Sequence, residues 1–163
     1  MIGIISLLED LVAERYASKF KRPFYVVRGN FKDYDVASLS GDILIEVKFD
    51  SKSISTGNFA IEYSYRGEPS GIKATKADYF VLIVPRGKEL VCHEVDVRTL
   101  LSVLESMYLV TGGDGDRSMM KLLPVSYLPQ ISSDTFILKI DQSHFEKYWE
   151  QKENGNSNEK ARE

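Results

Sequence analysis

Three side chains in one short stretch are of the kinds that handle phosphate esters: Asp35, then Glu46 and Lys48, all between Asp33 and Asp50. Two carboxylates on one surface repel each other unless a cation or a proton comes between them. Oxygen donors that leave the other positions to water and substrate phosphate suit Mg²⁺, which rarely takes a full protein cage. An ammonium group beside such an ion can orient an attacking water or remove its proton. The chemistry open to this stretch is metal-assisted hydrolysis at phosphorus.

A β-hairpin would bring the three together. Ile43 to Phe49 is apolar except at Glu46 and Lys48, so the two-residue strand period puts those two on one face with Leu44. Ile43, Ile45, Val47 and Phe49 then point to a core. Tyr34 to Leu39 reads as a second short strand, and Ser40-Gly41 fits a two-residue turn. In that register paired numbers sum to 81. Asp35 then faces Glu46, with Cβ atoms roughly 4.5–5.5 Å apart. A turn at Gly41-Asp42 would put Asp35 opposite Lys48, and a bulge would part the pair. The same alternation also describes an ordinary exposed strand face.

Asp35, ten intervening residues and then Glu46-Val47-Lys48 resembles the core of the PD-(D/E)xK nuclease superfamily, which includes restriction endonucleases and junction resolvases. Tyr34 stands where that motif has proline. The resemblance implies an α/β fold like that of restriction endonucleases, a mixed sheet flanked by helices. It also implies Mg²⁺, with Mn²⁺ substituting, and DNA as substrate, cut to leave 5′-phosphate ends. It gives Asp35 and Glu46 as metal ligands with the Val47 carbonyl as a third, and Lys48 as the residue that positions water. Glu14 and Glu62 are further candidates for the metal shell. Glu62-Tyr63, Gly67 to Ile72 and Thr75 to Tyr79 are similar to a pattern in small phage-type members, where the segment lies beside the active site. Ser70, Thr75 and Lys76 are therefore candidate DNA contacts, with helix capping and a solvated lysine as the plain alternatives.

The flanking elements follow from periodicity. Ile2 to Phe20 is an amphipathic helix ended by Pro23; Glu14, one turn after Leu11 and two after Leu7, flanks its buried stripe, with a solvated polar face as the plain alternative for Glu14 and for Glu9. Phe24 to Arg28 is a short strand before a Gly29-Asn30 turn, and Lys19, Lys21, Arg22 and Arg28 cluster near this junction. Ser51 to Gly57 reads as a loop, Asn58 to Tyr65 as a strand with one aromatic face, and Ser70 to Asp78 as a short crossover helix. Tyr79 to Val84 is a buried strand, Glu89 to His93 a short one, and Val95 to Val110 a second long helix. Gly112 to Asp116 is a turn, followed by strands at Met119 to Val125 and Thr135 to Ile140. A terminal helix spans Asp141 to Gln151.

At 163 residues with 43% hydrophobic and 28% charged content, residues 1–151 are expected to form one domain, with a disordered polar tail at 152–163. Cys92, the single cysteine, excludes an internal disulfide framework. His93 and His144 lack ligand spacing and read as structural. No apolar run spans a bilayer, so a soluble, cytoplasmic protein is expected. Net charge is −3, with +1 in residues 1–90 and −4 in 91–163, which neither favours nor excludes DNA. Two rivals stand beside the nuclease: a catalytically silent nucleic-acid-binding or assembly module of the same fold, and a metal-dependent phosphohydrolase of nucleotides. Symmetric cutting would imply a homodimer.

Overall fold

The apolar run after Asp78 has no face left in water: Phe80, Val81, Leu82, Ile83 and Val84 are all fully buried. Such a strand must be central in its sheet and covered on both sides. The structure, a computed structural model describing residues 3–29, 33–112 and 117–141, shows how that is met. The chain forms α1 (Ile4–Phe20), β1 (Phe24–Val26), β2 (Val36–Ser38), β3 (Leu44–Phe49), α2 (Ser53–Thr56), β4 (Asn58–Tyr65) and β5 (Glu68–Pro69). It continues with β6 (Tyr79–Arg86), β7 (Glu89–Asp96), α3 (Val97–Leu104), β8 (Leu109–Thr111), β9 (Ser118–Pro124), α4 (Leu128–Ile131) and β10 (Asp134–Leu138).

Among the described residues, one sheet has the order β1-β2-β3-β6-β7-β10 and a second the order β5-β4-β9-β8. β3 and β6 are parallel and the other neighbours in the first sheet are antiparallel, so the sheet is mixed and the class is α/β. α1 covers one face of the first sheet, with Leu8, Val12 and Tyr16 against Ile45, Val47, Val81 and Ile83. The second sheet and α3 cover the other, with Phe59, Ile61, Leu100 and Leu123 against Phe80, Leu82 and Val84.

Several elements differ from their sequence reading. The crossover from β3 to β6 is not a helix. β4 leaves to join the second sheet, and only a 3-10 turn at Gly71–Lys73 stands where Ser70 to Asp78 predicted a helix. Asp96 accepts from the Arg98 and Thr99 N–H groups at 2.9 and 3.2 Å and so caps α3. That helix stops at Leu104 because Leu109, Val110 and Thr111 pair with β9 instead. Ser53–Thr56 makes one helical turn inside the expected loop. β6 runs through Pro85 to Arg86, past its predicted end, and β1 stops at Val26. The predicted aromatic face of β4 is interrupted where its register with β9 shifts between Glu62 and Ser64, which carries Tyr65 round to the Ser118 side. The terminal helix after Asp141, the tail, Asn30, His144 and most of the Gly112 to Asp116 turn lie outside the described residues.

Glu94 is a carboxylate inside the first core layer, 5% exposed. Tyr16 Oη and Ser133 Oγ donate to it, and Lys19 Nζ lies 3.7 Å away while bonding Asp134 at 2.9 Å. The network joins α1 to β7 and β10. Burial, with the Glu94 hydrogen bond, pushes the Tyr16 phenol far above its usual value. Removing that donor in Tyr16→Phe is expected to cost about 1.5–3 kcal/mol of stability, measured by urea unfolding. The hydrogen bond from Lys19 holds Asp134 below the ordinary carboxylate range. Its contribution is therefore complete above the unfolded carboxylate value and is lost as pH falls through the folded one. Thermal melts of Lys19→Ala should accordingly show a shallower loss of stability on acidification than wild type.

Candidate active site

The hairpin keeps the expected register: Val36 pairs with Ile45, Ala37 with Leu44, and Ser38 N–H donates to Ile43 O at 3.0 Å. Its turn is wider than two residues. The Asp42 carboxylate takes both Arg22 guanidinium nitrogens at 3.0 and 2.8 Å and the Ser38 and Ser40 hydroxyls at 2.6 Å. The Arg22 bonds hold Asp42 well below the usual carboxylate range.

Asp35, 6% exposed, lies where β2 leaves β3. Its N–H donates to Ile45 O at 2.9 Å although Val36 is Ile45's partner, so two residues of one strand meet one of the other, the count of a β-bulge. The Asp35 side chain takes over from the departing backbone: Oδ2 accepts the Val47 N–H at 2.7 Å. Its carboxylate thus meets β3 at Val47, one residue beyond the Glu46 that the unbulged register predicted. A strand residue's N–H and C=O leave on the same edge, so the Val47 carbonyl opens on the same fork as the Asp35 carboxylate.

Ile45 and Val47 are buried against α1, and strand alternation sends Glu46 and Lys48 to the other face, in register with Phe80 and Leu82. Lys48 Nζ stands 3.2 Å from Glu46 Oε1, with the two side chains 43% and 17% exposed. Lys48 lines a cleft of about 220 Å³ with Ala60, Glu62, Gly71, Phe80 and Met120. A groove of about 400 Å³ shares Ala60, Glu62 and Met120 with it. Asp50 fixes β4 beside the end of β3, its Oδ2 accepting the Ala60 N–H at 3.0 Å. Gly71, with φ +52°, presses on β4 so closely that a Cβ there would sit 2.2 Å from Glu62 O.

The remaining candidates divide. Glu62 belongs to the cleft and accepts a hydrogen bond from Ser118 Oγ at 3.3 Å. Glu14 is exposed on α1, in a separate pocket with Asp10 and Arg28, on the sheet face opposite to Glu46 and Lys48. Glu9, read as a polar-face residue, is instead buried at 4%. Its position three and four residues before Val12 and Ala13 was the signal for that. Ser70 does not cap with its side chain, and its hydroxyl is buried without a hydrogen-bond partner among the described residues. Thr75 and Lys76 hold the start of the hairpin: Thr75 Oγ1 donates to Asp33 O at 3.4 Å, and Lys76 Nζ lies 3.3 Å from the Asp33 carboxylate. Of the basic cluster, Lys19, Arg22 and Arg28 pair with Asp134, Asp42 and Asp10. Cys92 is a buried core residue whose thiol burial pushes up to about 12. His93 is buried beside Ser132 and Thr135, and desolvation lowers its pKa.

Among the described residues no three His, Cys, Asp or Glu side chains gather to cage a cation, and no helix is long and apolar enough to cross a membrane. No family model, curated protein or solved structure matches this chain.

Proposed function

We propose that this chain is a divalent-metal-dependent deoxyribonuclease with a restriction-endonuclease-like core. The observation that carries the reading is the fork between β2 and β3, where the Asp35 carboxylate and the Val47 carbonyl edge meet beside the Glu46–Lys48 pair. Two carboxylates and a carbonyl are hard oxygen donors that fit Mg²⁺ or Mn²⁺ and leave positions for water and phosphate. Asp35, Glu46 and the Val47 carbonyl would hold the ion, which when bound lowers the pKa of a water and stabilises charge on phosphoryl oxygens. Lys48, kept close to Glu46, orients the attacking water and shields the developing negative charge at phosphorus. Glu62, in the same cleft, accepts a hydrogen bond from that water. Breaking the P–O3′ bond leaves a 5′-phosphate and a 3′-hydroxyl.

The order of elements supports the same reading: a helix, a three-stranded meander, then a crossover to a strand parallel with the one carrying Glu46. The crossover departs from it in using β4 and a 3-10 turn where a helix is expected. The cleft also bears on the nucleotide phosphohydrolase. At about 220 Å³ it falls below the roughly 300–1,000 Å³ of enclosing small-ligand pockets, and it shares Ala60, Glu62 and Met120 with a neighbouring groove, an arrangement that suits a polymer better.

The test is cleavage of plasmid, linear single-stranded and branched DNA with Mg²⁺ or Mn²⁺, against an EDTA control. Metal-dependent cutting is expected. Folded protein that cuts none of these and releases no heat on metal titration would overturn the reading and leave the binding module. Opposed cuts in both strands would need two copies of the site, which sedimentation velocity measures.

A further inference from the structure

β4 carries a feature that the proposed hydrolysis does not use. Glu62 pairs with Met120 and Ser64 with Met119, so Tyr63 is the extra residue of a bulge. Its ring holds two ammonium groups, Lys73 Nζ and Lys121 Nζ, each 5.1 Å from the centroid. The two can be no further apart than twice that distance. Neither forms an ion pair among the described residues, and Lys121 has only the Met107 carbonyl, at 2.9 Å. Arg66, 5.3 Å over the ring of Tyr65, adds a third cation at the end of the same strand.

Like charges held on one ring repel, and an exposed cation–π contact returns only about 0.5–1 kcal/mol. An anion between them turns that repulsion into attraction. The position narrows which anion. Lys73 belongs to the 3-10 turn whose Gly71 and Ile72 line the Lys48 cleft, and Ser70 N–H ties this turn to Tyr63 O at 3.2 Å. Lys121 is the strand partner of Ile61, another residue of the cleft lining, so the two share one face of the second sheet. The buried, unpartnered Ser70 hydroxyl lies in the same turn.

We propose that Lys73 and Lys121, braced on Tyr63, bind a backbone phosphate of the DNA strand that runs through the Lys48 cleft. The identity of the ligand rests on the nuclease reading; the anion site rests on the lysine pair. Compact ammonium charges neutralise phosphate without reading bases, so the contact strengthens all sequences alike.

Fluorescence anisotropy of labelled single-stranded and duplex DNA, in EDTA so that no cutting intervenes, tests the site. Each lost phosphate contact should weaken binding and make the salt dependence of log affinity shallower by about 0.7–0.9. Lys73→Gln and the Lys73→Gln/Lys121→Gln double variant are expected to show this, whereas Lys88→Gln, which removes the same charge from the exposed turn between β6 and β7, keeps the wild-type salt dependence. Lys73 is exposed, so the single variant decides the matter even if losing the Lys121 bond to Met107 disturbs folding. Unchanged affinity and salt dependence in folded Lys73→Gln would overturn the proposal, as would wild-type protein that binds no DNA. Protein that binds through these lysines and never cuts would sink the nuclease reading alone. Protein that cuts but ignores their loss would sink this site alone.

Discussion

Glu46→Gln is expected to slow metal-dependent DNA cleavage by about 10³-fold or more. The substitution keeps the size of the side chain and removes the charge that Lys48 faces across 3.2 Å and that would help to hold the ion. Removing one preorganised electrostatic partner of a transition state commonly costs about 10²–10³ in rate, and here metal occupancy falls as well. Lys48→Ala should cost about 10²–10³-fold by a different route, since it leaves the ligand oxygens in place. Calorimetry separates the two. Glu46→Gln should lose the heat of Mg²⁺ binding, whereas Lys48→Ala should retain it. Lys48→Arg should rescue poorly, because a planar, permanently charged fork neither fits a point-charge position nor takes a proton. Cleavage within twofold of wild type in either Glu46→Gln or Lys48→Ala would remove the hairpin from the mechanism.

The second large effect is structural and falls on Gly71. Its φ of +52° is one that side chains adopt at a cost, and a Cβ would stand 2.2 Å from Glu62 O and 2.8 Å from Glu62 C. Both of those atoms are backbone in a paired strand, so they cannot swing aside. Left-handed strain of about 1–3 kcal/mol and overpacking of a similar size together give a loss of about 3–5 kcal/mol for Gly71→Ala, read by urea unfolding. Gly67→Ala is the control. Its φ is +81° but nothing lies within 4 Å of a Cβ there, so only the conformational part should appear. Equal losses at the two positions would show that the contact with Glu62 contributes nothing.

The hairpin was legible because its information is local. Alternation from Ile43 to Phe49 fixes which side chains share a face, and the register that pairs Val36 with Ile45 follows from one short turn. The burial of Tyr79–Val84 was legible for a similar reason, since an unbroken apolar run has no face to give to water. Glu9 was missed although its spacing to Val12, Ala13 and Tyr16 placed it on the inward stripe of α1. Residue type assigns a carboxylate to the polar face; here its position on the helix decides otherwise.

By itself, then, the sequence determined the hairpin register, that Glu46 and Lys48 share a face, and that a buried strand follows, because strand period and turn length act over a few residues. Only the tertiary structure decided where the Asp35 carboxylate lands, that β4 leaves for a second sheet, and that the second long helix ends at Leu104. It also decided that Gly71 is pinned against Glu62 and that Lys73 and Lys121 share the ring of Tyr63. Several of these turn on pairings that no segment's own pattern encodes: β9 for Leu109–Thr111 and for the bulge at Tyr63, and the Gly71–Lys73 turn for Glu62. Local propensities differ by about 1 kcal/mol or less, and a handful of such pairings outweighs them.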